Sequence, residues 1–524
     1  MQQKFTRTEN GAIQFRTSGN RVLDFFAEIG SARRMLMHNK QAVYNLFANA
    51  IAEDPQQAMA VMFWTRAIRL GAGERDVFYA LLGFAYKNFP DFVKDNLDIV
   101  GKLGYYKDYV RIAMAIPNLE DDIAKIFARE IKQGNYFACK WIPRRTLIWS
   151  KVKKLLNMTN ADFRRLVARS AETTEQKICA QKISEIDYSK VPSKAFNNYR
   201  EMFLRKDRER FMQSLIESHI NTGAIYPHEI FDILYQTTFI SESDKKIIIN
   251  AQWRNLKNFI SPNMRFITVL DTSASMYYAS RIAYPLAIYC SEHLDGVFKD
   301  KVISFSRDAR YFDLSTCENV VEKYQKLKEY SIVENTNIAS VFKLLLDTAI
   351  ENNIPKEEMP NCLLILSDMQ FDKGATYDGT LINNLKSDYK YAGYEFPAII
   401  YWNLEATNTG IADNQNANAT FVSGFNPKIM ESILAGMEYD DVDDTKASQL
   451  QINPLKVMEN AIEPILKMLN FERLTNIPKS FAQYDYNITR GYSFRMRSRT
   501  TKTNNIADAL MQSEITSSQF AKLA

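Results

Sequence analysis

Residues 21 to 255 carry apolar side chains at helical spacing almost throughout. Apolar residues recur three or four positions apart in AVYNLFANAIAED (42–54), AMAVMFWTRAIRL (58–70), DVFYALLGFAYKNF (76–89) and DIAKIFAREIKQ (122–133). Short breakers rich in glycine, proline or charged residues separate these segments, and no strict sequence period is visible. Consecutive amphipathic helices without a regular repeat predict an antiparallel array, a degenerate HEAT-like α-solenoid.

The pattern changes at residue 265, where short runs rich in β-branched and aromatic residues begin. They are RFITVLD (265–271), KVISFS (301–306), NCLLILSD (361–368), PAIIYWNL (397–404) and ATFVSGF (419–425). Their near-continuous hydrophobicity indicates strands buried on both faces, as in a parallel sheet flanked by helices. Because helical stretches alternate with these strands, we predict a doubly wound, Rossmann-like α/β domain.

These patterns divide the chain into four segments. We predict a helical array over residues 1–260, the α/β domain over 261–437, an acidic loop and a C-terminal helix over 438–475, and a polar, basic tail over 476–524. The acidic run EYDDVDD (438–444) is typical of a solvated loop. The segment NPLKVMENAIEPILKMLNF (453–471) has the apolar spacing of an amphipathic helix.

Composition narrows the class of protein. The chain has 524 residues, too many for one ordinary domain, and a net charge of +5 from 66 basic and 61 acidic residues. So small an excess does not by itself indicate a nucleic-acid partner. Five widely spaced cysteines without a CxxC pair are typical of reduced core residues in a reducing compartment. No signal-peptide pattern and no apolar run of about 18 residues is found, so we expect a cytoplasmic protein that does not enter a membrane. We also expect a monomer.

The strongest chemical signal lies at the end of the first predicted strand, in VLDTSASM. Asp271 ends the strand, and Ser273 and Ser275 follow on the turn, so a carboxylate and two hydroxyls surround one point. Thr336 stands before a predicted helix and Asp368 ends the strand LLILSD, and both are expected at the same edge of the sheet. Hard oxygen ligands of this kind suit Mg²⁺ or another divalent cation, with water in the remaining positions.

This order of D-x-S-x-S, then Thr, then Asp resembles the metal-ion-dependent adhesion site of von Willebrand factor A domains. The resemblance implies a site that keeps one coordination position for an acidic group of a partner protein, and therefore binding. The alternative is that Ser273 and Ser275 are ordinary helix-capping residues. No general base or nucleophile stands out beside the pattern, so we expect that the protein is not an enzyme.

The wider chain resembles the TROVE-like, Ro-related proteins that have a C-terminal von Willebrand factor A domain. The matching segments, in order, are IRLGAGERDVF (68–78), GYYKDYV (104–110), KWIPR (140–144), DYSKVPSKAF (187–196), DRERF (207–211), YPHEIF (226–231), TVLDTSASM (268–276), TNIASVF (336–342), LILSDMQFD (364–372), IIYWN (399–403) and GFNPKIMESIL (424–434). The resemblance implies an RNA-binding scaffold, because Ro-type proteins bind small non-coding RNA outside a ring of helices and single-stranded RNA ends in its hole. Whether this helical array closes into a ring stays open.

Phosphate binding also needs clustered cations, and the helical half offers two clusters. The first comprises Lys140, Arg144, Arg145, Lys151, Lys153, Lys154, Arg164, Arg165 and Arg169, with Trp141 and Trp149 interleaved for base stacking. The second comprises Arg205 and Arg208 with Arg200, Lys206 and Arg210. The alternatives are a solvated helix face with both tryptophans in the core, and intrahelical pairing with Glu201, Asp207 and Glu209. The alternative function is a metal-dependent protein adaptor without RNA.

Two further segments have simpler interpretations. GAGERD (71–76) lacks the GK[ST] ending and the preceding strand of a phosphate loop, so we expect a turn between helices. The tail contains Arg490, Arg495, Arg497, Arg499 and Lys502, which suit either an arm that docks on RNA or protein, or a disordered tail.

Overall fold

Helices fill the first half of the chain, as the apolar spacing predicts. The structure, a computed structural model, describes residues 5–7, 13–15, 17–170, 173–236, 239–260, 265–305, 309–329, 338–369, 379–405, 418–439, 450–475, 477–478 and 481. A hairpin of β1 (Phe5–Arg7) and β2 (Ile13–Phe15) comes first. The helices are α1 (Arg21–Ile29), α2 (Arg33–His38), α3 (Lys40–Glu53), α4 (Pro55–Arg66), α5 (Asp76–Asn88), α6 (Pro90–Asp95), α7 (Ile99–Leu103), α8 (Tyr106–Ala115), α9 (Glu120–Lys132), α10 (Tyr136–Trp141), α11 (Leu147–Leu155), α12 (Asn160–Ser170), α13 (Thr174–Cys179), α14 (Ser193–Lys206), α15 (Arg208–Ile216), α16 (Pro227–Phe231) and α17 (Glu242–Arg254).

Side-chain caps fix where several of these helices begin. Asn20, Asp54, Thr146 and Ser241 each accept a backbone N–H bond in the first turn of α1, α4, α11 and α17. Pro55 occupies the first turn of α4, where its missing N–H would have had no partner. The helix starts are therefore local properties of the sequence.

Helix α4 ends at Arg66, earlier than the apolar pattern over residues 58–70 predicts. The following residues fold back over the helix end, and the N–H of Ala72 donates to the carbonyl oxygen of Trp64 at 3.2 Å. This interaction satisfies a carbonyl that the last turn of a helix would otherwise leave without a donor. The segment GAGERD accordingly forms the turn between α4 and α5.

The second half contains the six-stranded sheet of a doubly wound, von Willebrand A-like α/β domain, which confirms the predicted fold class. Its strands are β3 (Phe266–Asp271), β4 (Lys301–Phe305), β5 (Arg310–Asp313), β6 (Cys362–Ser367), β7 (Ala398–Asn403) and β8 (Ala419–Ser423). Their order in the sheet is β5-β4-β3-β6-β7-β8. All neighbours are parallel except β4 and β5, so β5 is an antiparallel edge strand that the apolar pattern missed.

Six helices accompany the strands in this half of the chain: α18 (Ser280–Glu292), α19 (Val320–Glu329), α20 (Ile338–Glu351), α21 (Gly379–Tyr391), α22 (Ile429–Ala435) and α23 (Pro454–Leu466). Helices α18, α20 and α23 contact the strands directly, whereas α19 packs on α18 and α22 packs on α23. The face that carries Ile267, Ile365 and Tyr401 shares one core with α20 and α21, whereas α18 contacts β3, β4 and β6. Every residue of β3, β6, β7 and β8 is buried, which is why these strands are continuous apolar runs in the sequence.

Contacts divide the chain into two compact units. The first unit contains residues 1–109, 226–228 and 257–486, and therefore both the sheet and helices α1 to α7. The second unit contains residues 110–225, 229–256 and 487–524. The change of sequence pattern suggests a boundary near residue 260, but the first unit includes residues on both sides of it. The reason is that the first seven helices pack in the same unit as the sheet.

The N-terminal helix of the first unit packs on the outer parallel strand, β8. Ser423 is buried at the end of this strand, and its Oγ accepts from the Gly30 N–H at 2.9 Å and donates to the Phe26 carbonyl at 3.0 Å. A Cβ at residue 30 would fall 2.6 Å from that Oγ. Glycine is therefore required where α1 ends against the sheet.

The second unit has its own aromatic core. The rings of Tyr188, Phe196, Phe203 and Phe211 contact one another at centroid distances between 5.1 and 5.5 Å. Three of these side chains come from α14 and α15, and Tyr188 comes from the turn before α14. Such ring pairs stabilise a core beyond the area they bury, which explains how short helices form a compact unit here.

Two expectations from the sequence are corrected. Cys179 is exposed at the end of α13, a short helix without buried residues, and Cys317 is half-buried, whereas Cys139, Cys290 and Cys362 are buried as predicted. The acidic run 438–444 begins inside a strand, because β9 (Met437–Tyr439) pairs antiparallel with β10 (Leu450–Ile452). None of the helices in the described ranges is both long and apolar enough to cross a membrane.

Candidate functional site

Two predicted ligands, Asp271 and Asp368, lie at the carboxyl ends of adjacent parallel strands. Asp271 ends β3 and Asp368 follows β6, and both side chains are almost fully buried. The chain leaves β3 toward β4 on one side of the sheet, and β6 continues toward β7 on the other. The two carboxylates therefore flank the switch point of the sheet, where ligands of open α/β sheets bind.

The turn after β3 brings its two hydroxyls together. Ser273 Oγ lies 3.0 Å from Ser275 Oγ, and the N–H of Ser273 donates to Asp271 Oδ1 at 2.9 Å. Adjacent ligands of an octahedral Mg²⁺, with bonds of about 2.1 Å, lie about 3.0 Å apart. The spacing of the two hydroxyls and the hard oxygen chemistry of the set both fit such an ion, which would also be held by the carboxylates of Asp271 and Asp368.

The helix-capping alternative does not fit this turn. Ser273 stands at the start of the 3₁₀ turn Ala274–Tyr277, yet its side chain makes no capping hydrogen bond. Helix α18 begins only at Ser280, and Ala279 at its start has no side-chain cap. The hydroxyls of the DTSAS segment face each other instead. The remaining predicted ligand, Thr336, lies outside the described residues.

The site differs from one built of His, Cys, Asp and Glu alone. No three side chains of those types come together as ligands anywhere in the described ranges. The candidate site instead combines two carboxylates with two hydroxyls from the DTSAS turn. A set with this many neutral oxygens is typical of hard cations that keep several waters.

Within the second unit, several cations of the predicted RNA surface are already bound to carboxylates. Lys140 lies 2.6 Å from Glu175, and Lys151 lies 2.9 Å from Asp121. Arg165 pairs with Asp162 one turn earlier on α12. These three cations are therefore neutralised within the unit, which lowers what they can contribute to phosphate binding.

The second predicted cluster is also largely committed to the unit's own structure. Arg208 forms two bonds with Asp244, at 2.8 and 2.9 Å, and holds the pKa of that carboxyl below its usual range. Arg210 pairs with Asp207, as the intrahelical alternative predicts. Arg200 is buried, and burial lowers its pKa to about 10. Arg205 is exposed.

A smaller set of predicted cations remains accessible. Arg144 and Arg145 are exposed in the turn between α10 and α11, where Arg145 has a left-handed backbone with φ of 61°. Further exposed members are Lys154, Arg164 and Arg169, and Lys153 is half-buried. Within the described residues, none of these six has a carboxylate within ion-pair distance, in contrast to Lys140, Lys151 and Arg165.

The two tryptophans of the first basic cluster are less exposed than two neighbouring aromatic side chains. Trp149 is buried against Phe163 at a centroid distance of 4.4 Å, which favours the core alternative for that residue. Trp141 is half-buried beneath the ammonium of Lys140. Tyr136 and Phe137 on α10 are 45% and 38% exposed, and sequence reasoning missed them because they stand before the basic cluster.

Three segments without assigned chemistry meet in the first unit. The hydroxyl of Tyr226 donates to the carbonyl of Ile68 at 2.9 Å, and Asn426 donates to the carbonyl of Gly71 at 2.9 Å. Glu74 is fully buried and pairs with Arg33 at 2.9 Å; burial raises the pKa of Glu74, and the guanidinium opposes that rise. These contacts make GAGERD a packing turn, and its buried carboxyl does not suit a phosphate site.

Sequence reasoning also missed Ser367, the residue before Asp368. Its hydroxyl donates to Asp271 Oδ2 at 2.6 Å and accepts from the Met369 N–H at 2.9 Å. Nothing in the pattern LLILSD distinguishes this serine from a polar residue at the end of a strand. Only the parallel pairing of β3 with β6 brings it to the carboxylate 96 residues away.

Comparison with known proteins gives two family matches. Residues 265–466 match a domain of unknown function, DUF7788, and residues 8–136 and 150–263 match another, DUF2828. The chain is 24% identical over 527 residues to the uncharacterized protein L728 of Acanthamoeba polyphaga mimivirus, with 87% of each chain covered. The crystal structure of the Ro (RSR) protein of Deinococcus radiodurans covers 85% of this chain and 100% of its own, at 12% identity and a TM-score of 0.38.

Proposed function

We propose that this protein is a non-catalytic binding scaffold with two functions. The α/β domain binds Mg²⁺, or another divalent cation, and through it an acidic group of a protein partner. The helical second unit binds small non-coding or single-stranded RNA. If the second function fails its test, the protein is a metal-dependent adaptor without RNA.

The metal function rests on one observation above all, the 3.0 Å separation of Ser273 Oγ and Ser275 Oγ beside two buried carboxylates. Asp271 and Asp368 supply negative charge, and the two hydroxyls supply neutral oxygens at the spacing of adjacent octahedral ligands. When bound, the ion would supply a Lewis-acid position for a partner's carboxylate. The described side chains that carry this site are carboxylates and serine hydroxyls, without a histidine, cysteine or lysine among them, so we infer binding and not catalysis.

Titration calorimetry of the full chain with MgCl₂ tests this function. We expect one site per chain, and Asp271→Ala and Asp368→Ala each to weaken binding about 100-fold or more, because first-shell losses exceed the 10–100-fold that outer-shell losses give. Asp295→Ala removes an exposed carboxylate of the same unit and should leave the affinity unchanged. Absence of Mg²⁺ binding by the unaltered protein, or equal loss in the control, contradicts the proposal.

The RNA function rests on the accessible cations of the α10–α12 surface, defined by Arg144, Arg145, Lys154, Arg164 and Arg169. These side chains are exposed and have no carboxylate at ion-pair distance in the described part of the chain. The exposed rings of Tyr136 and Phe137 lie on the adjoining helix, α10, and α10 contacts α12. Cations beside exposed aromatic rings are the combination that binds single-stranded RNA.

Fluorescence anisotropy with a labelled single-stranded RNA tests this second function. Arg144→Gln/Arg145→Gln should weaken binding and reduce the slope of log K against log salt by about 1.4, since each phosphate contact on a single strand contributes about 0.7. Lys246→Gln/Arg254→Gln removes the same charge from exposed positions on α17 and serves as the matched control. An unchanged slope in the first variant, or an equal change in the control, argues against this surface.

A further inference from the structure

The hydroxyl of Ser367 connects the two strand ends of the candidate metal site. Ser367 is the last residue of β6, directly precedes Asp368, and is fully buried. Its Oγ lies 2.6 Å from Asp271 Oδ2 across the switch point of the sheet, and 2.9 Å from the backbone nitrogen of Met369. The Ser367 side chain thus contacts the carboxylate of Asp271 and the backbone that directly follows Asp368.

The direction of the proton follows from these two contacts. The N–H of Met369 can only donate, so it occupies a lone pair of the Ser367 oxygen and leaves the hydroxyl proton for Asp271. The other oxygen of Asp271 accepts the N–H of Ser273 at 2.9 Å. Because both oxygens of Asp271 accept a fixed donor, the carboxylate cannot rotate freely about its last bond.

The contact with Met369 fixes the second carboxylate indirectly. Met369 has a φ of 63°, in the left-handed region that residues other than glycine rarely adopt. This conformation forms a turn immediately after Asp368. The bond from the Met369 N–H to Ser367 Oγ stabilises the turn, and with it the position of Asp368 at the end of β6.

We propose that Ser367 is a positioning residue for the divalent cation. It does not bind the cation itself but holds Asp271 and Asp368, which do. This inference rests on the proposed metal function. The hydroxyl keeps the two carboxylates preorganised across the switch point, so that cation binding does not have to order them. Outer-shell hydrogen bonds of this kind typically change metal affinity by about 10- to 100-fold.

The test compares two serines that are matched in burial and bonding. Ser423 is the last residue of β8, is buried, and its Oγ also accepts one backbone N–H and donates one bond. We expect Ser367→Ala to weaken Mg²⁺ binding by about 10- to 100-fold in calorimetry, and Ser423→Ala to leave it within about twofold. Both variants should lower the melting temperature by similar amounts, and Ser367→Thr, which keeps the hydroxyl, should restore the affinity.

A second measurement does not depend on metal. In the cation-free protein, hydrogen exchange at the Met369 amide should speed up in Ser367→Ala and stay slow in Ser423→Ala, because only the first variant removes its acceptor. If Ser367→Ala does not fold, Ser367→Cys keeps the size of the side chain and replaces the hydroxyl with a weaker donor. Exchange at Met369 that matches the unaltered protein overturns the inference.

The calorimetric outcomes separate the inference from the function on which it rests. An unaltered protein that does not bind Mg²⁺ overturns both. An unaltered protein that binds Mg²⁺, together with Ser367→Ala that binds it equally well, overturns the role of Ser367 alone. A loss in Ser423→Ala as large as that in Ser367→Ala assigns the effect to general loosening of the sheet and also overturns it.

Discussion

Replacing Asp108 with alanine is expected to destabilise the first unit by about 3–5 kcal/mol. The side chains of Asp108 and Arg66 are only 2% and 3% exposed, and Arg66 Nη2 lies 2.8 Å from Asp108 Oδ2. The hydroxyl of Tyr79 and the N–H of Tyr105 also donate to this carboxylate, at 2.6 and 2.8 Å. The alanine variant leaves a buried guanidinium without its counter-charge, and urea unfolding measures the loss.

Two further variants distinguish this explanation from a general effect of removing a carboxylate. Glu463→Ala breaks the exposed pair of Glu463 with Lys467 on α23 and should change stability by no more than about 0.5 kcal/mol. Arg66→Met/Asp108→Leu removes both buried charges and should recover the part of the loss that comes from the unpaired guanidinium, whereas the Tyr79 hydroxyl and the Tyr105 N–H still lose their acceptor. A loss below about 1 kcal/mol in Asp108→Ala contradicts the prediction.

Gly71→Ala is expected to destabilise the first unit by about 3 kcal/mol, the upper end of the usual range for overpacking. A Cβ at residue 71 would overlap the carbonyl oxygen of Trp64 and lie 2.9 Å from its carbonyl carbon. These atoms belong to the backbone of α4, so no change of rotamer relieves the clash. The variant should also disturb the neighbouring bond from Asn426 to the Gly71 carbonyl. Thermal or urea unfolding measures the change.

Gly223→Ala is the matched control for this glycine. Its Cβ would meet only the side-chain oxygen of Asn221, at 3.3 Å, and its backbone is not left-handed. We expect a change near zero or a gain of up to about 1 kcal/mol, because alanine restricts the unfolded chain. Equal stability of the Gly71→Ala and Gly223→Ala variants would mean that the turn after α4 moves aside at little cost.

Most of the fold was predictable because its elements are defined by local patterns. The helical segments 42–54, 76–89 and 122–133 correspond to α3, α5 and α9, since amphipathic spacing specifies a buried face. The five apolar runs correspond to the parallel strands, since burial on both faces leaves little room for polar residues. The edge strand β5 escaped prediction because only one of its four residues is buried.

For the candidate metal site, the sequence predicted that its two carboxylates lie close together. Asp271 and Asp368 end apolar strands, and strand ends of a parallel sheet meet at one edge, so their proximity follows from the topology class. The accessible part of the basic clusters could not be predicted, because a run of basic residues does not reveal which of them pair with carboxylates. Lys140 bonds to Glu175 and Lys151 bonds to Glu120, carboxylates that lie 35 and 31 residues away in the chain.

The sequence by itself determined the elements, the fold class and the residue types of the candidate metal site. The elements are set by hydrophobic period and capping side chains, which act over a few neighbouring residues. Only the tertiary structure decided which cations stay accessible. It also decided that Ser367 donates a hydrogen bond to Asp271 and that Gly30 lies against Ser423, because such contacts join residues far apart in the chain through burial and register. Local propensity contains no information about partners at that separation.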